Sequence, residues 1–351
     1  VIQVLDVANR EALARFDAVI DVRSPSEFAE DHVPEAINLP VLDDDERALI
    51  GTIYVQRSRF EARRLGAAIV ARNIASHLDN DLSARPPGFA PLVYCWRGGQ
   101  RSAAMATVLD QVGWRPTLLA GGYKTYRRAV RARLDETPPC IVLLSGYTGM
   151  AKTAMLSAAR SLGAQTIDLE RLAHHRGSLL GDIVGEAQPS QKMFESRLAV
   201  ELAALDPSKP ALMESESSKI GDINIPHALW KAMSSAPMIE VRASTGVRAA
   251  YLVSAYQDLT SEPDRLVAAL ARLPGRHGRS TVEVWRGLAR DGQYEALAGA
   301  LMEAHYDPAY LRWNRTHPRP CIGVIDLSDL SALSISLAAA RIVRCLDGLG
   351  V

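Results

Sequence analysis

Short apolar runs alternate with amphipathic stretches along all 351 residues, and this alternation restricts the chain to α/β architectures with parallel sheets. VIQVLDV (1–7), AVIDVR (18–23), INLPV (37–41), PLVYC (91–95) and TLLAGG (117–122) read as short buried strands with helical patterns between them. They make residues 1–134 one α/β domain, over which the charged, helix-like stretch 44–78 lies as an insertion. The sequence DETPP (135–139) follows a basic helical stretch, and its two prolines stop helix continuation, so this segment reads as a linker. A second α/β domain then occupies 140–351. Its strands are CIVLLSG (140–146), AQTIDL (164–169), PALMES (210–215), PMIEVR (237–242) and CIGVIDLS (321–328), with a basic helical subdomain over about 244–320.

Composition removes several classes. Hydrophobic residues make up 48% and charged residues 23%, which excludes a disordered chain. There is no apolar run of membrane-spanning length and no secretory signal pattern, so the expectation is a cytoplasmic protein without a membrane partner. The four cysteines form no Cys-x-x-Cys pair, which argues against a zinc site or a disulfide framework. With 40 basic and 40 acidic side chains, a polyanion has to be held by local patches.

Two loops carry chemistry. In PLVYCWRGGQRSAAMA a strand delivers Cys95 into a glycine-containing loop that runs into a helix. Backbone N–H groups converge there on the sulfur, lower the thiol pKa and can hold a tetrahedral oxyanion, with Arg97 and Arg101 as cationic donors. In SGYTGMAKTAML (145–156) a strand opens into a helix through Gly146, Gly149, Lys152 and Thr153, a phosphate loop in which Ala151 replaces the second glycine. The replacement is accommodated if residue 151 has helical φ and ψ. Lys152 is expected at the terminal phosphate and Thr153 at Mg²⁺. Asp168, Glu214 and Glu216 are candidates for orienting metal or water, and His174 and His175 have no matching ligand pair.

YCWRGGQRS resembles the active-site loop of rhodaneses, and IDVRSPSEFAEDHVPEAINLP (20–40) and LLAGGYKTYRRAV (118–130) resemble other rhodanese segments. The Cys-x5-Arg spacing also suits protein phosphatases and arsenate reductases, and one of these fused to a nucleotide-binding domain is the alternative reading. Arg242 and Arg248 resemble the lid-region arginines of small P-loop kinases. A rhodanese-like domain followed by a P-loop kinase-like domain resembles the bacterial tRNA 2-selenouridine synthase family across nearly the whole chain. DLERLAHHRGSLLG (168–181), QPSQKMFESRL (188–198), ESESSKIG (214–221) and HYDPAY (305–310) share that family's character.

The resemblance implies a transferase that geranylates wobble 2-thiouridine in tRNA with geranyl diphosphate, then exchanges the geranylthio group for selenium from selenophosphate. Cys95 is the implied selenium carrier, the phosphate loop the implied diphosphate site, and a selenophosphate-supplying enzyme a candidate partner. No tightly bound cofactor is expected. For the tRNA, Lys124, Arg127, Arg128, Arg131 and Arg133 form one basic run, and Arg272, Arg276, Arg279, Arg286 and Arg290 a second set.

Overall fold

The computed structural model describes residues 2–349 apart from 137, 139, 179, 216 and 274–276, and of residue 313 only the backbone. Glu216 and Arg276, both expected at sites, and part of the 135–139 linker lie outside the described residues.

Two compact units are formed. The first contains 1–134 and also Ser190–Ala203; the second contains Asp135–Pro189 and Ala204–Val351. In the first unit β1 (Gln3–Leu5), β2 (Ala18–Asp21), β3 (Ile37–Asn38), β4 (Pro91–Tyr94) and β5 (Thr117–Leu119) make a parallel sheet in the order β1-β5-β4-β2-β3. Its centre is β4, whose residues are all buried, so the strand that carries Cys95 at its end is the most firmly held. Ile20, Val22, Val93, Met105 and Leu109 pack around it. The 44–78 region forms two helices, Asp44–Gln56 and Arg59–Asp79, the first closed by an Asp43/Glu46 capping box.

The segment Ser190–Ala203 corrects the expected boundary. Its helix, Gln191–Ala203, lies in sequence between two strands of the second sheet but belongs to the first unit. Arg127 pairs there with Glu195, Arg133 donates to the Leu202 carbonyl at 2.6 Å, and Lys192 meets Glu30 at 2.6 Å.

In the second unit β6 (Ile141–Ser145), β7 (Gln165–Ile167), β8 (Ala211–Glu214), β11 (Met238–Arg242) and β12 (Cys321–Asp326) form a parallel sheet ordered β12-β11-β6-β8-β7. A short antiparallel pair, β9 (Lys219–Ile220) and β10 (Ile223–Asn224), was not expected from the sequence. The central strand β6 opens into the phosphate loop and the helix Lys152–Ser161, at the carboxyl ends of the strands where open α/β sheets bind ligands. Between β11 and β12 the expected helical subdomain is present. It has its own core, built from Leu259, Leu266, Leu270, Trp285, Leu297 and Leu301.

Candidate functional site

The Cys95 loop is shaped by close backbone approach. A methyl at Gly122 would collide with the Cys95 carbonyl oxygen, and one at Gly98, whose φ is +65°, would sit 2.8 Å from the Leu119 carbonyl. The backbone N–H of Tyr123 donates to the Cys95 carbonyl at 2.8 Å, which ties the loop to the start of the helix Tyr123–Asp135. Beneath it a fully buried pair, Asp21 and Arg23, is closed at 2.6 Å; Arg23 stacks 4.1 Å from the Tyr123 ring and also donates to the Asp31 carbonyl.

Cys95 is 3% exposed, and its Sγ accepts from the Gly99 N–H at 3.2 Å and lies 3.2 Å from the Ser102 hydroxyl. Burial pushes the thiol up, but the Ser102 hydroxyl and the backbone N–H groups of Ser102, Gly99 and Arg97 outweigh it, so the net shift is downward. The loop therefore favours a thiolate. Its two arginines part company: Arg101 is held by Glu27 at 2.8 Å, while Arg97 is exposed and lines a cavity with Trp96, Lys124, Arg128 and Arg131.

Around the phosphate loop, Gly146 lets β11 approach, since a methyl there would meet the Val241 carbonyl at 2.7 Å, and Gly149 takes φ +84°. Ala151 has φ +54° and ψ +30°. The condition for an unstrained alanine, right-handed helical φ and ψ, is thus not met: the residue is left-handed, the conformation a glycine would adopt without strain. Lys152 Nζ folds back on the Gly146 carbonyl at 3.3 Å. The Thr153 hydroxyl donates to Glu214 Oε1 at 2.6 Å and lies 3.2 Å from Glu170 Oε2. Glu214 is fully buried, and burial, joined by the charges of Glu170 and Asp168, pushes its carboxyl well above the usual range despite Thr153 and Lys152. Among the described residues its Oε2 has no hydrogen-bond partner. A hydroxyl beside carboxylates is the hard oxygen donor set that suits Mg²⁺ shared with phosphates, although no three His, Cys, Asp or Glu side chains among the described residues gather into a metal cluster.

Other expected residues take different posts. Asp168 caps its own helix, Leu169–Ala173, accepting from the Arg171 N–H at 2.7 Å, and it is Glu170 that reaches Thr153. Arg242 pairs with Glu240 at 2.6 Å and does not line the phosphate-loop cavity. Arg248 is no exposed lid residue: 3% exposed, it pairs with Asp307 at 2.7 Å and donates to the Thr148 carbonyl at 3.1 Å, bracing the loop from behind. Arg176, Ser178, Tyr251, Tyr306 and Tyr310 line the cavity without having been expected there, although HHRGS and HYDPAY contain four of them.

The basic sets also divide. Lys124, Arg128 and Arg131 are exposed and, spaced i, i+4, i+7, share one helix face. Arg127 is buried against Glu195, and Arg133 is bonded to Leu202. In the second set Arg272 pairs with Asp182 and Arg286 and Arg290 straddle Glu283, while Arg279 is exposed.

Comparison with known proteins places both sites in one family. A rhodanese-like domain profile matches residues 6–129 and a tRNA 2-selenouridine synthase AAA domain profile matches 139–269. A tRNA 2-selenouridine synthase of Bdellovibrio bacteriovorus is 31% identical over 84% of this chain and 88% of its own length. The chain belongs to the tRNA 2-selenouridine synthase family. Relatives of the same description from Aeromonas salmonicida and Shewanella halifaxensis are 38% and 35% identical over 66% and 68% of this chain. The matches span less than two thirds of those two proteins, 62% and 65%. Both loops of this tRNA 2-selenouridine synthase family member fall inside the matched domains, Cys95 in the first and Lys152, Thr153, Glu170 and Glu214 in the second.

Proposed function

We propose that this chain is a tRNA 2-selenouridine synthase, a transferase that replaces the sulfur of wobble 2-thiouridine with selenium through an S-geranylated intermediate. What supports the reading is the pairing, in one chain of this family, of a thiolate-favouring Cys95 loop with a phosphate loop whose Thr153 is engaged by Glu214. A thiocarbonyl sulfur is a poor leaving group. Alkylation by geranyl diphosphate converts it into a good one, and diphosphate departs as the carbon–sulfur bond forms. Lys152 and the loop amides bind that diphosphate, with Thr153 as the Mg²⁺ ligand where the ion accompanies it. Selenophosphate docks at the Cys95 loop; its selenium attacks C2 of the geranylated base, geranylthiol leaves, and water cleaves the selenium–phosphorus bond to release phosphate, with the Cys95 thiolate as the reactive group of the loop in this second step. The tRNA, a cytoplasmic location and a selenophosphate-producing supplier belong to the same reading. A phosphatase or arsenate reductase would need Arg101 over the sulfur, and here it is tied to Glu27.

The two steps separate by mutation. Cys95→Ser should geranylate tRNA but fail to insert selenium, accumulating geranylthiouridine. Lys152→Ala should lose the charge-assisted contact, worth about 1.5–3 kcal/mol, and stall before geranylation while still selenating pre-geranylated tRNA. Full selenation by Cys95→Ser would remove the role of the thiolate in the second step.

A further inference from the structure

Exposed apolar surface and unpaired charge gather at one place that neither loop explains, the tip of the helical hairpin made by Asp44–Gln56 and Arg59–Asp79. The base of the hairpin is tied to the first unit. There Asn73 donates to the Val41 carbonyl at 3.2 Å, the His77 ring lies 3.0 Å from the Pro40 carbonyl, and Ile69 and Ile74 are buried. The first helix has no buried residue along its length, and at the tip Val55 is 82% and Phe60 75% exposed, with Tyr54 exposed as well. Single exposed apolar side chains are ordinary, but a cluster of them marks a contact surface.

Between Tyr54 and Arg64 stand four arginines and one acid, Glu61. Among the described residues Arg57, Arg63 and Arg64 have no ion pair, and Arg59 lies over the Tyr54 ring at 5.5 Å. Stability does not ask for this placement. Arg59 opens its helix, at the end of the helix dipole that disfavours cations, and the four like charges repel one another. The acids of the hairpin, Asp44, Asp45 and Glu46, sit at its other end.

The base of the hairpin adjoins the Cys95 loop. Asp44 accepts from the Ser26 N–H at 3.1 Å, Arg47 lies 3.8 Å from Glu27, and Glu27 holds Arg101 of that loop at 2.8 Å. A helix of 13 residues rises about 20 Å, so the tip stands that far from the place where the hairpin meets the loop. That separation exceeds one nucleotide and suits a folded RNA arm.

We propose that the hairpin tip is a second RNA-binding surface, which takes the body of the tRNA away from the reacting base, with Phe60 stacked on an unpaired base and the arginines on backbone phosphates. Arg63 and Arg64, three and four residues after Phe60, flank its ring on the helix surface. A nucleotide answers both features at once, offering a π-face to the ring and a phosphate to the guanidinium groups, and unstacked RNA bases are bound on such aromatic and guanidinium planes. An acidic protein surface would pair the arginines but leave the ring without a stacking partner. The proposal rests on reading tRNA as the substrate.

The test is fluorescence anisotropy of 2-thiouridine-containing tRNA against the full-length protein across a salt series. Phe60→Ala should weaken binding roughly tenfold and leave the salt slope in place, because a stacked base releases no counterion. Arg59→Gln, Arg63→Gln and Arg64→Gln together should flatten the slope by roughly two to three units, at about 0.7–0.9 per lost phosphate contact. In both variants the rate of Cys95 alkylation by iodoacetamide should match the wild type, the sign of an intact catalytic loop. Wild-type affinity in Phe60→Ala would overturn the stacked base, and an unchanged slope in the triple variant would overturn the phosphate contacts. Wild-type tRNA binding by both variants, together with loss of a protein partner in pull-down, would make the tip a protein-docking surface and overturn the proposal outright. Binding is read apart from chemistry: tip-dependent affinity in a protein that leaves 2-thiouridine unaltered keeps the RNA surface and removes the proposed reaction, whereas selenation by both variants at the wild-type KM for tRNA keeps the reaction and removes the surface.

Discussion

The Thr153 hydroxyl donates to Oε1 of Glu214 at 2.6 Å, so the last residue of the phosphate-loop motif is pinned to the end of β8. Glu214 is fully buried and its other oxygen has no partner among the described residues, so this donor is a large part of what satisfies the group. Thr153→Val, nearly the same shape without the donor, should lower unfolding free energy by about 1–3 kcal/mol, the cost of leaving a buried polar group unsatisfied. Urea denaturation without ligand measures it. An unchanged midpoint would mean that the bond is not formed in solution.

The Cys95 thiol is held below its ordinary pKa of 9.0: burial opposes the thiolate, and the Ser102 hydroxyl and loop amides more than offset it. A lowered pKa leaves the thiolate populated at pH values where a free thiol is protonated, and the folded-state stabilisation from this group is lost as pH falls through the lowered value. Ser102→Ala should move the titration midpoint upward, read as thiolate ultraviolet absorbance after subtraction of Cys95→Ser. A midpoint that stays in place would assign the shift to the amides alone.

Ala151 and Ala159 are both buried, at the start and within the helix Lys152–Ser161, yet only Ala151 is left-handed. Ala159→Gly should cost roughly 1.5–2 kcal/mol, about 1 from helix propensity and about 0.8 from the lost methyl. Ala151→Gly should be near neutral, because relief of about 1–2 kcal/mol of left-handed strain offsets the lost methyl, about 0.8, and the greater freedom of glycine in the unfolded chain. Matched denaturation curves compare them, and equal destabilisation would refute the left-handed assignment.

On the surface of the first unit, Lys124, Arg128 and Arg131 are the exposed members of their run. Reversing all three to Glu should weaken tRNA binding and flatten its salt dependence by roughly one unit per lost phosphate contact. Reversing Arg272, Arg286 and Arg290, which already pair with Asp182 and Glu283, should do less. An identical response from both sets would show that exposure does not choose the tRNA face.

All ten long-separated strands were legible because each is an apolar run bounded by turn residues. The β9–β10 pair was not, since two residues per strand carry no periodicity. Both loops were legible as local motifs. What stayed hidden was long-range partnership. Met193, Phe194 and Leu198 form an apolar face that reads the same whichever core receives it, so the helix Gln191–Ala203 was assigned by sequence neighbourhood to the wrong unit. Arg248 reads as a lid-region arginine in the sequence because its carboxylate, Asp307, lies 59 residues away. Asp168 was more accessible to reasoning, for an aspartate directly before a helical run is a helix cap first.

The central claim is tested most directly by mass spectrometry of the nucleosides of 2-thiouridine-containing tRNA after incubation with the full-length protein, geranyl diphosphate and selenophosphate. The account predicts loss of 2-thiouridine, transient geranylthiouridine and final 2-selenouridine, with the last product absent when Cys95 is Ser. Unaltered 2-thiouridine in the presence of both co-substrates would contradict it.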